Sequence, residues 1–256
     1  MKKMTKPTVG FFGLTGCAGC LLSFVFNEDD LLDMIDAVNL TAFPFISEMK
    51  KEPDKFDVVF VEGSVVSTHD LETIKRLREK SKLIIAFGAC ACTGGVPTYL
   101  HFSNQRSYKR LQYDKIKIIR PTKEGPAPLE EHVKVDFFIP GCPPEKEDLK
   151  RFIKNLLISK HPIQDDKPVC YECKLNKNSC LLVKGKPCLG PYTKGGCDSI
   201  CINGGMECWG CRGPTTNITL DIKNAHKFNV WKCDPKLVKD RLKTFAGLQF
   251  GFKRKD

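Results

Sequence analysis

Fourteen cysteines among 256 residues constrain this chain more than any other feature of its sequence. Small secreted proteins that depend on disulfides are usually shorter and richer in cysteine. We expect no signal peptide, because Met1–Pro7 is basic but no apolar leader stretch follows it. In a reducing compartment, cysteines in this number are typical of metal or cofactor ligands.

Composition narrows the class of protein further. The chain is 41% hydrophobic, enough to bury a core, and no apolar run reaches the roughly 18–20 residues that cross a bilayer. Its formal net charge of +11 permits a nucleic-acid partner. That count treats every thiol as neutral, whereas a four-iron cluster with four thiolates carries roughly −2. A role of the excess lysines and arginines as counter-charge for such clusters explains the net charge equally well.

The cysteines divide the chain near residues 161–168, a polar stretch bracketed by prolines. Residues 1–162 alternate apolar strands with amphipathic helices, which predicts an α/β domain with a flavodoxin-like doubly wound parallel sheet. Residues 163–256 are dense in Gly, Pro, Asn and Cys, which predicts a small, loop-dominated domain stabilised by metal bonds. The predicted strands are Val9–Leu14, Phe56–Val61, Leu83–Phe87 and Phe137–Ile139, and helices are predicted around Leu71–Leu77 and Leu149–Leu157.

The cysteines of the first part all follow predicted strands. The carboxyl ends of parallel strands share one edge of a sheet, so these residues should meet there. Four thiolates fit zinc or an iron–sulfur cluster, while a redox-active pair or a set of inert buried thiols are the other interpretations. Five candidates compete for four places, and we leave Cys92 aside as a candidate core residue. The assigned ligands are Cys17, Cys20, Cys90 and Cys142.

The second part holds two groups of four cysteines and a separate one, Cys233, which we interpret as a buried thiol. The spacing does not name the metal, because zinc also accepts four thiolates. Two zinc sites would suit a basic nucleic-acid-binding module, whereas three redox clusters in a row would conduct electrons. The two groups are Cys170, Cys173, Cys180 and Cys188, followed by Cys197, Cys201, Cys208 and Cys211.

Three motifs occur together in this chain: Leu14–Cys20 with its Cys-x-x-Cys pair, Gly88–Cys90 followed by Gly94–Gly95, and the Pro-Gly-Cys-Pro-Pro run Pro140–Pro144. As a set, they resemble the small, electron-transferring subunit of nickel–iron hydrogenases, and the resemblance covers nearly the whole chain. The related quinone-reductase subunit usually carries adjacent cysteines in place of the Cys-x-x-Cys pair and lacks a cysteine-rich second part.

The resemblance implies three 4Fe-4S clusters. Respiratory hydrogenases have a histidine ligand to the distal cluster and a three-iron medial cluster, whereas this chain has Cys170 at the matching position and a further medial cysteine, Cys201. It is therefore more similar to the cytoplasmic multi-subunit group, in particular the delta subunits of archaeal sulfhydrogenases. The implied ligands are Cys17, Cys20, Cys90 and Cys142 (proximal), Cys170, Cys173, Cys180 and Cys188 (distal), and Cys197, Cys201, Cys208 and Cys211 (medial).

The resemblance also implies a function, that of a non-catalytic electron-relay subunit. Electrons from hydrogen would pass from the nickel–iron centre of a large subunit to an iron–sulfur or flavin partner that reduces NADP or polysulfide. The nickel–iron centre, the flavin and NADP would belong to those partner subunits. We expect a cytoplasmic protein without a membrane anchor or a nucleic-acid partner.

Two interpretations stay open beside this one. A zinc-stabilised basic binding module would use Lys236–Lys243 and Phe252–Lys255 as its phosphate contacts. At the sheet edge, Glu62 follows a predicted strand; we interpret it as a capped, solvated glutamate, and a role near the proximal cluster is the alternative.

Overall fold

A computed structural model describes most of the chain. The described residues are 6–26, 28–45, 53–102, 122–158, 166–216 and 232–254, and at 28, 29, 156 and 157 only the backbone is described. No helix among these residues has the length and apolar character that crossing a membrane requires.

The chain divides into two compact units. The first comprises residues 1–92 and 119–162, and the second comprises residues 93–118 and 163–256. The division into domains 1–162 and 163–256 stays a prediction, because compactness alone does not show that a segment folds independently. Most of the polar stretch at this boundary lies outside the described residues.

The first unit is built on a parallel five-stranded sheet. Its strand order, β2-β1-β3-β4-β5, is that of flavodoxin-like doubly wound sheets, which confirms the predicted fold class. In the central pair, Val9 lies opposite Val58 and Gly13 lies opposite Glu62. The strands are β1 (Thr8–Gly13), β2 (Asn39–Ala42), β3 (Phe56–Glu62), β4 (Ser81–Phe87) and β5 (Phe137–Ile139).

Apolar side chains cover both faces of this sheet, because successive residues of a strand point to opposite sides. On one face, Phe11 and Phe60 stack with their ring centroids 4.6 Å apart. On the other face, Val59 and Ile84 are fully buried. The helices of this part are α1 (Gly19–Val25), α2 (Glu28–Asp36), α3 (Thr68–Lys80), α4 (Ala89–Thr93) and α5 (Lys146–Leu157), with a 3₁₀ turn at Leu129–Glu131.

All four predicted strands and both predicted helices are present. Helix α3 begins with a capping box, in which the Ser67 hydroxyl accepts from the Asp70 N–H and the Asp70 carboxylate accepts from the Ser67 N–H. Strand β2 was not predicted. It pairs with β1 and is short and half polar, with Asn39 exposed, so it has no continuous apolar run.

In its described residues, the second unit consists mostly of loops and short helices. Its longest described helix, Pro235–Ala246, has Asp234 as its N-cap, and the Asp234 carboxylate accepts from the Lys236 N–H at 2.9 Å. A small core packs Leu189, Val238 and Leu242 against cysteine side chains. The helices are α6 (Val169–Leu175), α7 (Ile200–Asn203) and α8 (Pro235–Ala246), with 3₁₀ turns at Val96–Phe102 and Gly190–Tyr192.

Candidate metal centres

All fourteen cysteines lie among the described residues, and none of them forms a disulfide. The twelve predicted ligands differ in exposure, and each predicted group has at least one thiol at the surface. The exposed thiols are those of Cys17, Cys142, Cys180 and Cys201. Each group also has a buried thiol, so every predicted site extends from the interior to the surface.

The first group lies at the carboxyl edge of the parallel sheet. Cys17 follows β1, Cys20 is in the first turn of α1, Cys90 is in α4 directly after β4, and Cys142 follows β5. Burial raises the pKa of the Cys20 thiol, and the charges of Glu62, Cys90, Cys142 and Cys17 raise it further. Since Cys20 interacts electrostatically with the other three, the sheet brings the four predicted thiols to one place.

Glycine makes room for sulfur at this site. Gly88 follows β4 directly with φ +90°, and a Cβ built there would lie 2.2 Å from Cys20 Sγ. At Gly19, a Cβ would lie 3.3 Å from Cys17 Sγ. The missing side chains at these two glycines therefore let the thiols approach the backbone closely.

Glu62 is a closer neighbour of this group than the sequence interpretation allowed. Its side chain is 3% exposed, so describing it as solvated was wrong. Its Oε2 accepts from the backbone N–H groups of Cys20 and Leu21 at 3.2 and 3.3 Å. Burial raises the pKa of this carboxyl, although those hydrogen bonds oppose the shift. Glu62 thus caps the start of α1, directly at a predicted ligand.

Cys92 lies away from this group, although it is two residues from Cys90. Its thiol is buried in the apolar cluster on the other face of the sheet. It donates to the Ala86 carbonyl at 3.3 Å. This position matches the interpretation of Cys92 as a core residue.

The distal group gathers around the start of α6. Burial raises the pKa of Cys170 to about 12, and the charges of Cys188, Cys173 and Cys180 add to the shift. Cys173 interacts with Cys188 and Cys180 as well. The structure therefore brings all four predicted thiols of this group into electrostatic contact.

A glycine also adjoins the distal sulfurs. A Cβ at Gly190 would lie 3.3 Å from Cys170 Sγ and 3.5 Å from Cys188 Sγ. The Gly190 N–H donates to the Cys188 thiol, which lowers the pKa of that thiol against the larger effect of burial. Such N–H donors to sulfur tune the potentials of iron–sulfur clusters.

The medial group forms two pairs. Burial raises the pKa of Cys197 to about 11, Glu172 raises it further, and Cys201 adds a smaller effect. Burial likewise raises the pKa of Cys208 well above its usual value, with Cys211 contributing. Within each pair the thiols interact electrostatically. Binding of both pairs to one cluster is part of the proposed function.

Two side chains that the sequence analysis did not identify join the distal and medial motifs. Glu172, between two distal cysteines, accepts from the Gly196 N–H and, at 3.1 Å, from the Ser199 N–H, which flank Cys197. Arg241 of α8 is buried, donates to the Pro187 carbonyl at 2.7 Å and lies 4.3 Å over the Trp209 ring.

The sequence offered one faint signal for these residues. Glu172 is an acidic residue enclosed between two predicted ligands, Cys170 and Cys173. Arg241 carries no signal, because it is one of several basic residues on an amphipathic helix. Cys233 is buried in the apolar cluster that also contains Cys188 and Cys208, and the charge of Cys188 adds to the effect of burial that raises the pKa of its thiol.

The donor set fits 4Fe-4S clusters. Four thiolates at one place are the ligands that such a cluster uses. In a 4Fe-4S cluster each cysteine binds its own iron, so the ligands need not converge on one point. Grouped thiols, glycines beside sulfur and N–H donors to sulfur are what such a cluster requires.

Comparisons with known proteins agree with this chemistry. Residues 17–156 match the family described as NADH ubiquinone oxidoreductase, 20 Kd subunit. Sulfhydrogenase 2 subunit delta of Pyrococcus furiosus is 37% identical over 244 residues, covering 93% of this chain and 98% of the relative. A subunit of the F420-non-reducing hydrogenase of Methanocaldococcus jannaschii is 33% identical, with 87% of this chain and 86% of the relative covered.

Solved structures extend the comparison. A chain of an NAD+-reducing [NiFe]-hydrogenase in its H2-reduced state is 27% identical with a TM-score of 0.54, covering 62% of this chain and 96% of that one. A chain of the [NiFeSe] hydrogenase of Desulfovibrio vulgaris Hildenborough, 17% identical with a TM-score of 0.52, covers 84% and 95% and shares the fold. From its motifs, its fold and these relatives, the chain belongs to the NADH:ubiquinone oxidoreductase 20 kDa subunit family and, within it, to the small subunits of nickel–iron hydrogenases.

Proposed function

We propose that this chain is the electron-relay subunit of a multi-subunit hydrogenase. Electrons pass between the hydrogen-activating site of a large subunit and an iron–sulfur or flavin partner, by way of the proximal, medial and distal cysteine groups in turn. The partner reduces NADP or polysulfide, a choice supported by the likeness to a sulfhydrogenase subunit. No residue of this chain acts as an acid or a base in the proposal.

A hydrogen bond between the two cysteine groups of the second unit carries the proposal. The Cys208 N–H donates to Cys188 Sγ at 3.4 Å, and the neighbouring Leu189 N–H donates to the Cys208 carbonyl at 2.9 Å. A predicted medial ligand thus contacts a predicted distal ligand directly. Two clusters held on these residues would be neighbours, as stepwise electron transfer requires.

Each residue set then has a defined task. When bound, a 4Fe-4S cluster takes up and releases single electrons. Buried cysteines would hold the cluster away from water. The N–H groups that donate to Cys188 would stabilise the reduced state, in which the sulfur atoms carry more negative charge. Glu172 and Arg241 fix the loops that carry those cysteines, and Glu62 fixes the helix start that carries Cys20.

Metal analysis of the anaerobically purified complex tests the proposal. We expect about twelve irons for each copy of this chain, in three four-iron clusters, and a broad visible band that dithionite bleaches. Nickel and flavin should copurify on other subunits. A colourless protein with two or three zinc ions per chain would reject the relay and favour the zinc-stabilised basic module.

A pair of variants tests the proximal assignment. Cys142→Ala should lower the iron content by up to about four per chain and abolish hydrogen-driven dye reduction, because an exposed ligand of the proximal cluster is lost. Cys92→Ala is the matched control: it removes a thiol from the apolar core and should keep the full iron content. Electron delivery at the wild-type rate in Cys142→Ala would show that the assignment is wrong.

A further inference from the structure

A buried arginine lies among the predicted medial ligands. Arg212 follows Cys211 directly and is 6% exposed. Its Nε donates to the Gly195 carbonyl at 2.6 Å. A Cβ at Gly196 would lie 2.4 Å from Arg212 Nη2 and 3.0 Å from its Cζ. The guanidinium therefore lies against the backbone that leads into Cys197, in space that a side chain at this glycine would fill.

Arg212 joins the two pairs of the medial group. Its backbone follows Cys211 of one pair, whereas its side chain lies against the residue that precedes Cys197 of the other pair. The two backbone segments also contact each other, because the Lys194 N–H donates to the Gly213 carbonyl at 3.1 Å. One charged side chain thus connects the two loops that carry predicted ligands of a single cluster.

The charge of Arg212 acts on a predicted ligand. Burial raises the pKa of the Cys197 thiol and the charge of Glu172 raises it further, whereas the charge of Arg212 lowers it. A guanidinium keeps its proton in proteins, so this positive charge is fixed. Burying such a charge is costly unless negative charge lies beside it. A cluster of four irons on four thiolates would supply that charge, because it carries roughly −2.

We infer that Arg212 is a fixed counter-charge that raises the reduction potential of the medial cluster. The inference rests on the proposed function, in which both medial pairs hold one cluster. An electron added there increases the negative charge, and a buried positive charge stabilises that state because little water or salt screens it. Since the medial group is the middle of the relay, its potential determines how readily an electron occupies the centre of the path.

Redox titration of the anaerobic complex, followed by electron paramagnetic resonance, measures this potential. In Arg212→Met, which removes the charge, we expect the ratio of reduced to oxidised medial cluster at a fixed ambient potential to fall roughly 10-fold, a shift of about 59 mV toward more negative potential. Arg212→Lys keeps the charge and should restore most of the shift. An unchanged medial potential in Arg212→Met would overturn the inference.

Arg78→Met, in the first unit, is the matched control. Arg78 also donates to backbone carbonyls, those of Ser81 and Lys82, at 2.6 and 2.8 Å. Ser81 begins β4, so these contacts lie at the edge of the sheet opposite the predicted ligands. The medial potential should not change in this variant. Equal shifts in Arg78→Met and Arg212→Met would show a general effect of losing an arginine and would contradict the inference.

Iron content separates the electrostatic role from a purely structural one. If Arg212 only fixes the loops, Arg212→Met and Arg212→Lys should both lose about four irons per chain, because both lack the Nε donor to Gly195. That result would overturn the inference. Loss of iron in Arg212→Met alone would support it, because the positive charge would then be what the cluster needs.

The unaltered complex gives a measurement that needs no variant to fold. A buried charge is screened little, so the medial potential should stay constant between about 0.1 and about 1 M ionic strength. A fall with salt as large as that expected for Arg212→Met would show that surface charges set the potential, and would overturn the inference. If the chain carries about twelve irons but its medial potential depends on salt in this way, the relay stands and the counter-charge fails. If the chain lacks iron, the relay fails and the inference fails with it.

Discussion

The two units hold their cysteines in different ways. In the first, a parallel sheet with apolar residues on both faces brings the carboxyl ends of β1, β4 and β5 together. The predicted ligands Cys17, Cys90 and Cys142 each follow one of these strands, so the sheet itself brings them to its edge. The sheet is the scaffold, and a cluster would bind to it without supporting it.

In the second unit, the cysteines and the loops support one another. The described helices around the ligands are short, and thiols such as Cys188 and Cys208 belong to the core itself. Individual side chains, Glu172 and Arg241, take the place of a sheet in joining the segments. If both units bind clusters as proposed, the first would hold its cluster on a preformed sheet, whereas the second would use its clusters as structural support.

Removing iron should produce the largest difference in hydrogen-exchange protection between the two units. Without metal, the amides of Leu189 and Cys208 should exchange roughly 100-fold faster or more, because cluster bonds hold those loops. The amides of β3 and β4 should remain protected by the apolar core. Hydrogen exchange measured by mass spectrometry, before and after anaerobic chelation, compares both units in one sample. Equal loss in both would show that the sheet depends on metal as well.

Adding one methyl group should remove one cluster and leave the others. In Gly88→Ala, the new Cβ would lie 2.2 Å from Cys20 Sγ, so the proximal ligand cannot keep its place. We expect about four fewer irons per chain. Gly205→Ala is the matched control, because Gly205 also has positive φ but nothing within 4 Å of its Cβ position. There only backbone strain of about 1–2 kcal/mol should appear. Equal iron in both variants would refute the crowding argument.

The sheet and the grouping of ligands could be predicted from the sequence, and for a physical reason. Buried parallel strands are continuous apolar runs, so strands such as Phe56–Glu62 are recognisable, and a ligand after such a strand must lie at the shared edge. Strand β2 was not predicted because it contains no continuous apolar run. It is a strand because it pairs with β1.

Contacts between distant residues could not be predicted. Glu62 is an ordinary acid in sequence, and only the folded chain shows that its register opposite Gly13 of β1 puts its carboxylate at the start of α1. The role of Arg241 depends on two loops, at Pro187 and Trp209, that meet one face of α8. A periodic pattern identifies a helix but not the partner of each side chain.

Arg241→Leu should weaken the second unit selectively. The change leaves the Pro187 carbonyl without its donor and Trp209 without its cation, a cost of about 2–4 kcal/mol. Arg151→Leu, in the first unit, removes a side chain that is 60% exposed and paired with Asp148, and should cost about 0–1 kcal/mol. Denaturant unfolding of the iron-loaded chain, followed at the cluster absorbance, measures the difference. A larger loss in Arg151→Leu would reverse the comparison.

Ser67→Ala, in the first unit, should produce the smallest effect of these changes. The Ser67 hydroxyl caps α3 through the Asp70 N–H, so its loss should cost about 1 kcal/mol with no change in iron content. Helix α6, by contrast, has no side-chain cap, and its Val169 N–H donates to the Thr193 carbonyl across the loops.

The control for this variant is Lys75→Ala, which changes an exposed position in the middle of α3 and should stay within about 0.5 kcal/mol of the parent. Hydrogen exchange of α3 measures both changes. Helix α3 carries its own cap, so it can lose a little stability without disturbing a predicted ligand. Helix α6 contains two predicted ligands, Cys170 and Cys173, and has no side-chain cap. If Ser67→Ala lowered the iron content, the first unit would depend on its site as closely as the second.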